Sequence, residues 1–155
     1  MKELVVIRSA IESDHPFIFK LSPYLAEVAQ LEWHTDAVVD KMQYEYIAEM
    51  LAEASEPNST FIAELKNKPV GFIHVRLHKD SISGETCATI PLLAVSPKSQ
   101  GFGVGKLLIA KAEIWAKESG CRLLHLEVFA NNEKAKNFYQ KSGFKSETVH
   151  MIKTI

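Results

Sequence analysis

The sequence predicts a mixed α/β fold of the α+β kind: one central sheet, mostly antiparallel, with helices packed on it. Three observations carry this. The chain has 155 residues, enough for a single domain, residues 1–155, with one sizeable core. Three β-rich runs follow one another across short turns between Thr60 and Val95, which reads as an antiparallel meander. After it, two segments of helical character alternate with further β-rich runs, so helices must cover the sheet.

The elements follow in order. "LVVIRSA" (4–10) is a short strand. "ESDHP" reads as a helix entry, with Asp14 as N-cap and Pro16 in the first turn. Residues 17–54 read as helical, with breaks near "SPY" and "HTD". "TFIAEL" (60–65) and "VGFIHVRLH" (70–78) are strands joined by the turn "KNKP". "TCATIPLLAV" (86–95) is the third meander strand. Pro91 makes it either an edge strand or a bulged one, because proline donates nothing to a ladder. A helix from near Val104 to about Ser119 closes at Gly120, with Val104, Leu107, Leu108, Ala112 and Trp115 on one face. "RLLHLEVFA" (122–130) is a strand, "NNEKAKNFYQKS" a helix closed by Gly143, and "FKSETVHMIKTI" one or two closing strands.

Composition excludes several functions. The formal net charge of −1 offers no global attraction to nucleic acid or to an anionic membrane. No apolar run approaches the ~20 residues of a membrane-spanning helix. The opening "MKELVVIRSA" is too short in apolar residues for a signal-peptide core, so a cytoplasmic protein is expected. Cys87 and Cys121 are too few for a disulfide framework and lack metal-ligand spacing, so both are expected reduced and buried, with no metal. The glycosylation-type triplet at Asn58, Ser59 and Thr60 marks only a loop.

Chemistry concentrates in "SQGFGVGKLLIAKA". Gly101, Gly103 and Gly105 stand between a strand end and a helix start. The first N–H groups of a helix lack internal partners and sit at the positive end of its dipole. A glycine-rich turn there is a candidate anion cradle, phosphate being the usual occupant. The nucleotide loop G-x-x-x-x-G-K-[ST] fails, since Lys106 and Leu107 stand where it needs glycine and Ser or Thr. The dinucleotide fingerprint G-x-G-x-x-G fails at Lys106 as well.

What fits is Q-x-x-G-x-G: Gln100, Gly103 and Gly105. Here the chain resembles the GNAT (Gcn5-related N-acetyltransferase) superfamily, whose pattern is [RQ]-x-x-G-x-[GA] after a strand ending L-x-V. Leu93, Ala94 and Val95 match that ending. A second signature, N-x-x-A-x-x-x-Y then G-F, matches at Asn132, Ala135, Tyr139, Gly143 and Phe144. The resemblance is strong from Ile90 to Phe144 and weak before Thr60. It implies a sheet splayed between the third meander strand and the next, with helices on both faces.

The resemblance also implies roles. The turn of Gln100, Gly101, Phe102, Gly103, Val104, Gly105 and Lys106 would hold the diphosphate of acetyl-CoA through backbone N–H groups. Leu93, Ala94 and Val95 would pair with the pantetheine arm like an added strand and place one N–H on the thioester oxygen. Asn132 would bind pantetheine, Ala135 would allow close approach, and Tyr139 would donate a proton to the departing thiolate. The implied reaction is direct acetyl transfer to a primary amine on a small molecule or peptide, with no cysteine relay. Glu32, Trp33, His34 and Asp36 lie where the family's acceptor pocket would be. A homodimer stays open.

The general base is harder to place. Many family members carry a glutamate in the third meander strand, but "CATIPLLAV" has no carboxylate. Glu85, Glu127, His74 and His125 are the alternatives, with Glu127, expected on the neighbouring strand, ranked first. The missing strand carboxylate keeps a second reading, a non-catalytic acyl-CoA-binding or regulatory domain. Tyr139 favours the enzyme.

Overall fold

The computed structural model describes residues 4–53 and 55–155. Among them, five strands form one sheet in sequence order: β1 (Val5–Ser9), β2 (Asn58–Leu65), β3 (Lys68–Lys79), β4 (Thr86–Val95) and β5 (Leu124–Leu126). The first four pair antiparallel, and β5 joins β4 in parallel. The meander is therefore as expected. Its first turn is tight: Lys66 and Asn67 both take positive φ, 52° and 64°, the backbone of a type I′ hairpin. The Asn58 triplet opens β2 rather than marking a loop.

Pro91 bulges its strand. His74 pairs with Leu92 and Arg76 with Thr89, so Ile90 and Pro91 together face the single residue Val75. Pairing of β4 with β5 stops at Ile90 and Leu126. Beyond the bulge, Leu92 to Val95 pair only with β3, and the sheet is open on their other side. The strand expected over 122–130 shrinks to three residues for the same reason. The closing strands expected after Phe144 do not form; 145–155 have no regular element and are exposed. A lone β-rich run needs a partner edge and a covered face, and three-residue β5 supplies little of either.

The helices before the meander are α1 (His15–Lys20), α2 (Ser22–Glu27) and α3 (Asp36–Ala52). Pro16 sits in the first turn of α1 as expected. Asp14 stands at its N-cap position as expected, but its side chain bonds no N–H of the helix. Its carboxylate instead takes both Arg8 guanidinium nitrogens at 2.7 and 2.8 Å and the Ile11 N–H at 2.8 Å. The Arg8 guanidinium holds that carboxyl below its ordinary range. Thr35 caps α3, accepting from the Val38 N–H at 3.3 Å. Ala54, the expected helical end, lies outside the described residues.

After the meander come α4 (Val104–Glu118) and α5 (Glu133–Lys141). Gly120 and Gly143 follow them with φ of 80° and 98°, the left-handed stops the sequence indicates. The buried face of α4 differs from the expected one: Val104, Leu108, Ile109, Ala112 and Ala116 are buried, Trp115 is half-buried, and Leu107 is exposed. Two cores result. Ile73, Val75, Ala88 and Ile90 pack under α4, while Ile62, Phe72 and Leu92 pack under Ile18, Ile47 and Met50. Alternating residues of the same strands thus feed helices on both faces. Gly71 is required where these layers meet, since a Cβ there would lie 2.9 Å from the Ala94 carbonyl oxygen.

Candidate active site

The turn between β4 and α4 begins with a 3-10 turn at Pro97–Ser99 and ends at Gly103, the N-cap of α4. Gly101 and Gly103 have φ of 86° and 79°, and a Cβ on either would meet nothing within 4 Å. Both therefore face open space, in a backbone conformation that side chains rarely adopt. No side chain caps the helix start. The first N–H groups of α4 are left for an outside acceptor, and an anion such as a diphosphate suits them.

Gly105 has a different cause. A Cβ there would lie 3.1 Å from the Phe138 ring of α5. This glycine lets α5 approach the start of α4. It belongs to the packing of the cradle rather than to its opening. Phe102 is exposed at 70 % on the outer side of the turn, while Val104 is buried.

Gln100 ties the parts together. Its amide donates to the Val95 carbonyl at 3.2 Å, and its oxygen accepts from Lys134 Nζ at 2.7 Å. Lys134 thus stands beside the turn, a role the sequence reading missed. A signal was available: a lysine in a helix's first turn opposes the dipole and needs another reason to be there.

Leu93, Ala94 and Val95 lie past the bulge, with β3 on one side and the gap on the other. Their gap-side backbone groups form an open strand edge inside the fold, the kind of edge an extended ligand can pair with. Across the gap stands α5. Asn132 is its N-cap, accepting from the Ala135 N–H at 3.2 Å. That bond uses the side-chain oxygen and leaves the amide N–H groups for a ligand. Asn131 donates to the Gln30 carbonyl at 2.6 Å, fastening the α2–α3 loop to the entrance of α5. Glu32, Trp33 and His34 are exposed in that loop, and Asp36 begins α3.

Tyr139 packs between Phe138 and Phe144, with ring centroids 5.4 and 5.8 Å away. Burial pushes its hydroxyl up to about 12, so it stays protonated at neutral pH.

The base candidates separate clearly. Glu85 accepts from Arg122 Nε at 3.2 Å and from the Ser83 hydroxyl at 2.9 Å, in the turn before β4, at the end away from the open edge. His125 pairs with Asp80 at 3.1 Å, at that same end. His74 is 1 % exposed, bonded to the Thr60 hydroxyl at 2.6 Å, and pushed down to about 4 by burial. Glu127 is exposed and lies just past β5, not on it as the sequence suggested. Its charge is felt by Tyr46 of α3, whose hydroxyl is raised first by burial, with Arg76 opposing and Glu127 and Glu49 adding. Tyr46, Glu49 and Arg76 were not singled out in the sequence, because they carry no motif.

Comparison with known proteins gives the family. The chain is 37% identical over 90 residues to an uncharacterized N-acetyltransferase of Methanocaldococcus jannaschii; the match covers 57% of this chain and 40% of that longer relative. It is 30% identical over 112 residues to an aminoglycoside N(6')-acetyltransferase type 1 of Stenotrophomonas maltophilia, covering 70% of this chain and 71% of the relative. Its fold matches a solved aminoglycoside N-acetyltransferase, AAC(6')-Iy in complex with CoA, with a TM-score of 0.71 at 21% identity, over 99% of this chain and 97% of that one. Residues 24–144 match the acetyltransferase (GNAT) family as a whole, and the chain belongs to that family.

Proposed function

We propose that this protein is an acetyl-CoA-dependent N-acetyltransferase that moves an acetyl group to a primary amine by direct attack. The observation that carries the reading is the open edge at Leu93, Ala94 and Val95 running into an uncapped helix start with two outward-facing left-handed glycines. One end suits an extended amide-bearing arm and the other a diphosphate, and CoA has both.

Acetyl-CoA supplies the activated acyl thioester. The N–H groups of 100–106 bind its diphosphate, with Lys134 adding positive charge. The gap-side amides of Leu93 and Val95 align the arm, and one of them stabilises the oxyanion as the amine attacks. The new N–C bond forms as the C–S bond breaks. Glu127 takes the ammonium proton through water, and Tyr139 holds the proton offered to the departing thiolate. At about 12, the phenol keeps that proton until a strong acceptor appears. Asn132 binds the pantetheine amides and Ala135 keeps the helix face low. The acceptor enters from the side of Tyr46, Glu49 and the α2–α3 loop, where carboxylates suit a cationic amine.

The test is release of free thiol from acetyl-CoA across a panel of small amines, aminoglycosides and peptides. Amine-dependent release is expected. In Glu127→Gln, kcat/KM should fall roughly tenfold or more near neutral pH and recover at high pH, where the amine arrives neutral. CoA binding with no amine-dependent release would support the acyl-CoA-binding reading, which the missing strand carboxylate favours. An equal loss at all pH values would remove the base role from Glu127.

A further inference from the structure

The other end of β4 holds a second constellation. Asp80 after β3, Cys87 on β4 and His125 on β5 bring one ligand atom each to within 4.8 Å of one another, the one such group of three or more among the described residues. Asp80 is 3 % and Cys87 0 % exposed, while the His125 side chain keeps 28 %. His125 Nε2 lies 3.1 Å from Asp80 Oδ2. The other carboxylate oxygen, Oδ1, is fixed by the N–H groups of Ile82 and Ser83 at 2.9 and 2.8 Å.

We infer that these three residues form a binding site for a borderline-soft divalent cation of the zinc class. Thiolate, imidazole and carboxylate together select such ions over magnesium or calcium. In a tetrahedral site with bonds of ~2.0–2.3 Å, neighbouring ligand atoms are roughly 3.3–3.7 Å apart. The Asp80–His125 separation is already near that value, and the rest needs closure of about an ångström. The backbone bonds to Oδ1 orient the carboxylate and leave Oδ2 for the ion, as outer partners of metal ligands do. His78 pairs with Cys87 across the strands, and its ring lies 6.1 Å from that of His125, outside the group of three. Asp80 alone would suffice to shape the turn; the turn does not require a thiol and two imidazoles beside it. The ion's role is structural. It ties three-residue β5 to the β3–β4 hairpin, far along β4 from the glycine turn, and displaces the Cys87 thiol proton on binding.

The test uses the purified chain, reduced and freed of metal, titrated with Co²⁺ as an optical stand-in for Zn²⁺. One equivalent should bind with a thiolate-to-cobalt charge-transfer band, be displaced by Zn²⁺, and raise Tm. Cys87→Ser should lose the band, His125→Gln should lose tight binding, and Cys121→Ser should keep both. Should Cys87→Ser fail to fold, the partly exposed His125→Gln decides alone. No stoichiometric binding, a band that survives in Cys87→Ser, or one that vanishes in Cys121→Ser would overturn the site.

Discussion

The two halves of β4 share β3 as a partner but differ on their other side. From Ala88 to Ile90 the strand is paired on both sides, with β3 and β5. From Leu92 to Val95 it is paired on one side only. The bulge at Ile90 and Pro91 separates them. The closed half gathers side chains that face one another: buried Cys87 and Asp80 beside His125, which pairs with Asp80, and the more exposed pair of Glu85 and Arg122. The open half gathers unspent backbone groups and a glycine turn. In this fold a bulge at one proline divides a stretch paired on both sides from an edge left open, the edge that the proposed CoA site would use.

The sharpest way to break that contrast is charge. Gly103→Asp puts a carboxylate at the open helix start, where a like charge at ~4 Å costs about 4 kcal/mol near a protein surface. CoA affinity by calorimetry should fall roughly a thousandfold, with the circular dichroism unchanged. Gly103→Asn, which tolerates positive φ, should retain far more binding. Equal losses in both variants would make backbone strain, not an anion site, the reason for the glycine.

The second effect sits at the junction. His74 pairs with Leu92, the first residue past the bulge, and its Nε2 is buried without a partner. Burial lowers it from 6.5 to about 4. The unfolded chain therefore binds the extra proton between those pH values and the folded chain does not. Stability should be full above about pH 6.5 and fall as pH drops towards about 4, by about 3 kcal/mol in all. Urea melts of the protein and of His74→Gln across that window measure it. A wild-type curve parallel to that of the variant would show His74 is protonated freely in the fold.

Much of this was legible in the sequence, but unevenly. Gln100, Gly103 and Gly105, with Asn132, Ala135 and Tyr139, form two short motifs, so the proposed site is readable from the sequence. The meander was readable from three β-rich runs, and Pro91 announced a disturbed strand. Asp80, Cys87 and His125 were not legible as a group, because they come from the turn after β3 and from two further strands, and only the pairing of those strands unites them. Asp14 is the N-cap that the sequence indicates, but the sequence does not show that Arg8 takes its carboxylate. Gly105 looked like its two neighbours, yet its reason is a ring on another helix. The closing strands failed because β propensity does not supply a partner edge.

The third effect concerns chemistry at the open half. Tyr139→Phe should lower kcat by roughly a hundredfold while acetyl-CoA affinity changes little. Stopped-flow single turnovers isolate the chemical step. An unchanged rate there would reduce Tyr139 to its packing role between Phe138 and Phe144.

The smallest effect separates the glycines. Gly105→Ala presses a methyl group on Phe138, costing about 1 kcal/mol of packing against a helix-propensity gain of similar size. Stability and CoA affinity should both stay within a few-fold of wild type, unlike Gly103→Asp. A large loss of CoA affinity without loss of stability would move Gly105 into the cradle's opening.

The most direct test of the contrast is amide hydrogen exchange with and without acetyl-CoA, resolved along β4. The gap-side amides of Leu93 and Val95 and those of 100–106 should exchange more slowly on binding, while those of Ala94, which faces β3, and of Ala88 to Ile90, already in a closed ladder, should not change. Protection spread evenly along β4, or absent past Pro91 although thiol is released from acetyl-CoA, would contradict the assignment of the open edge as the binding edge.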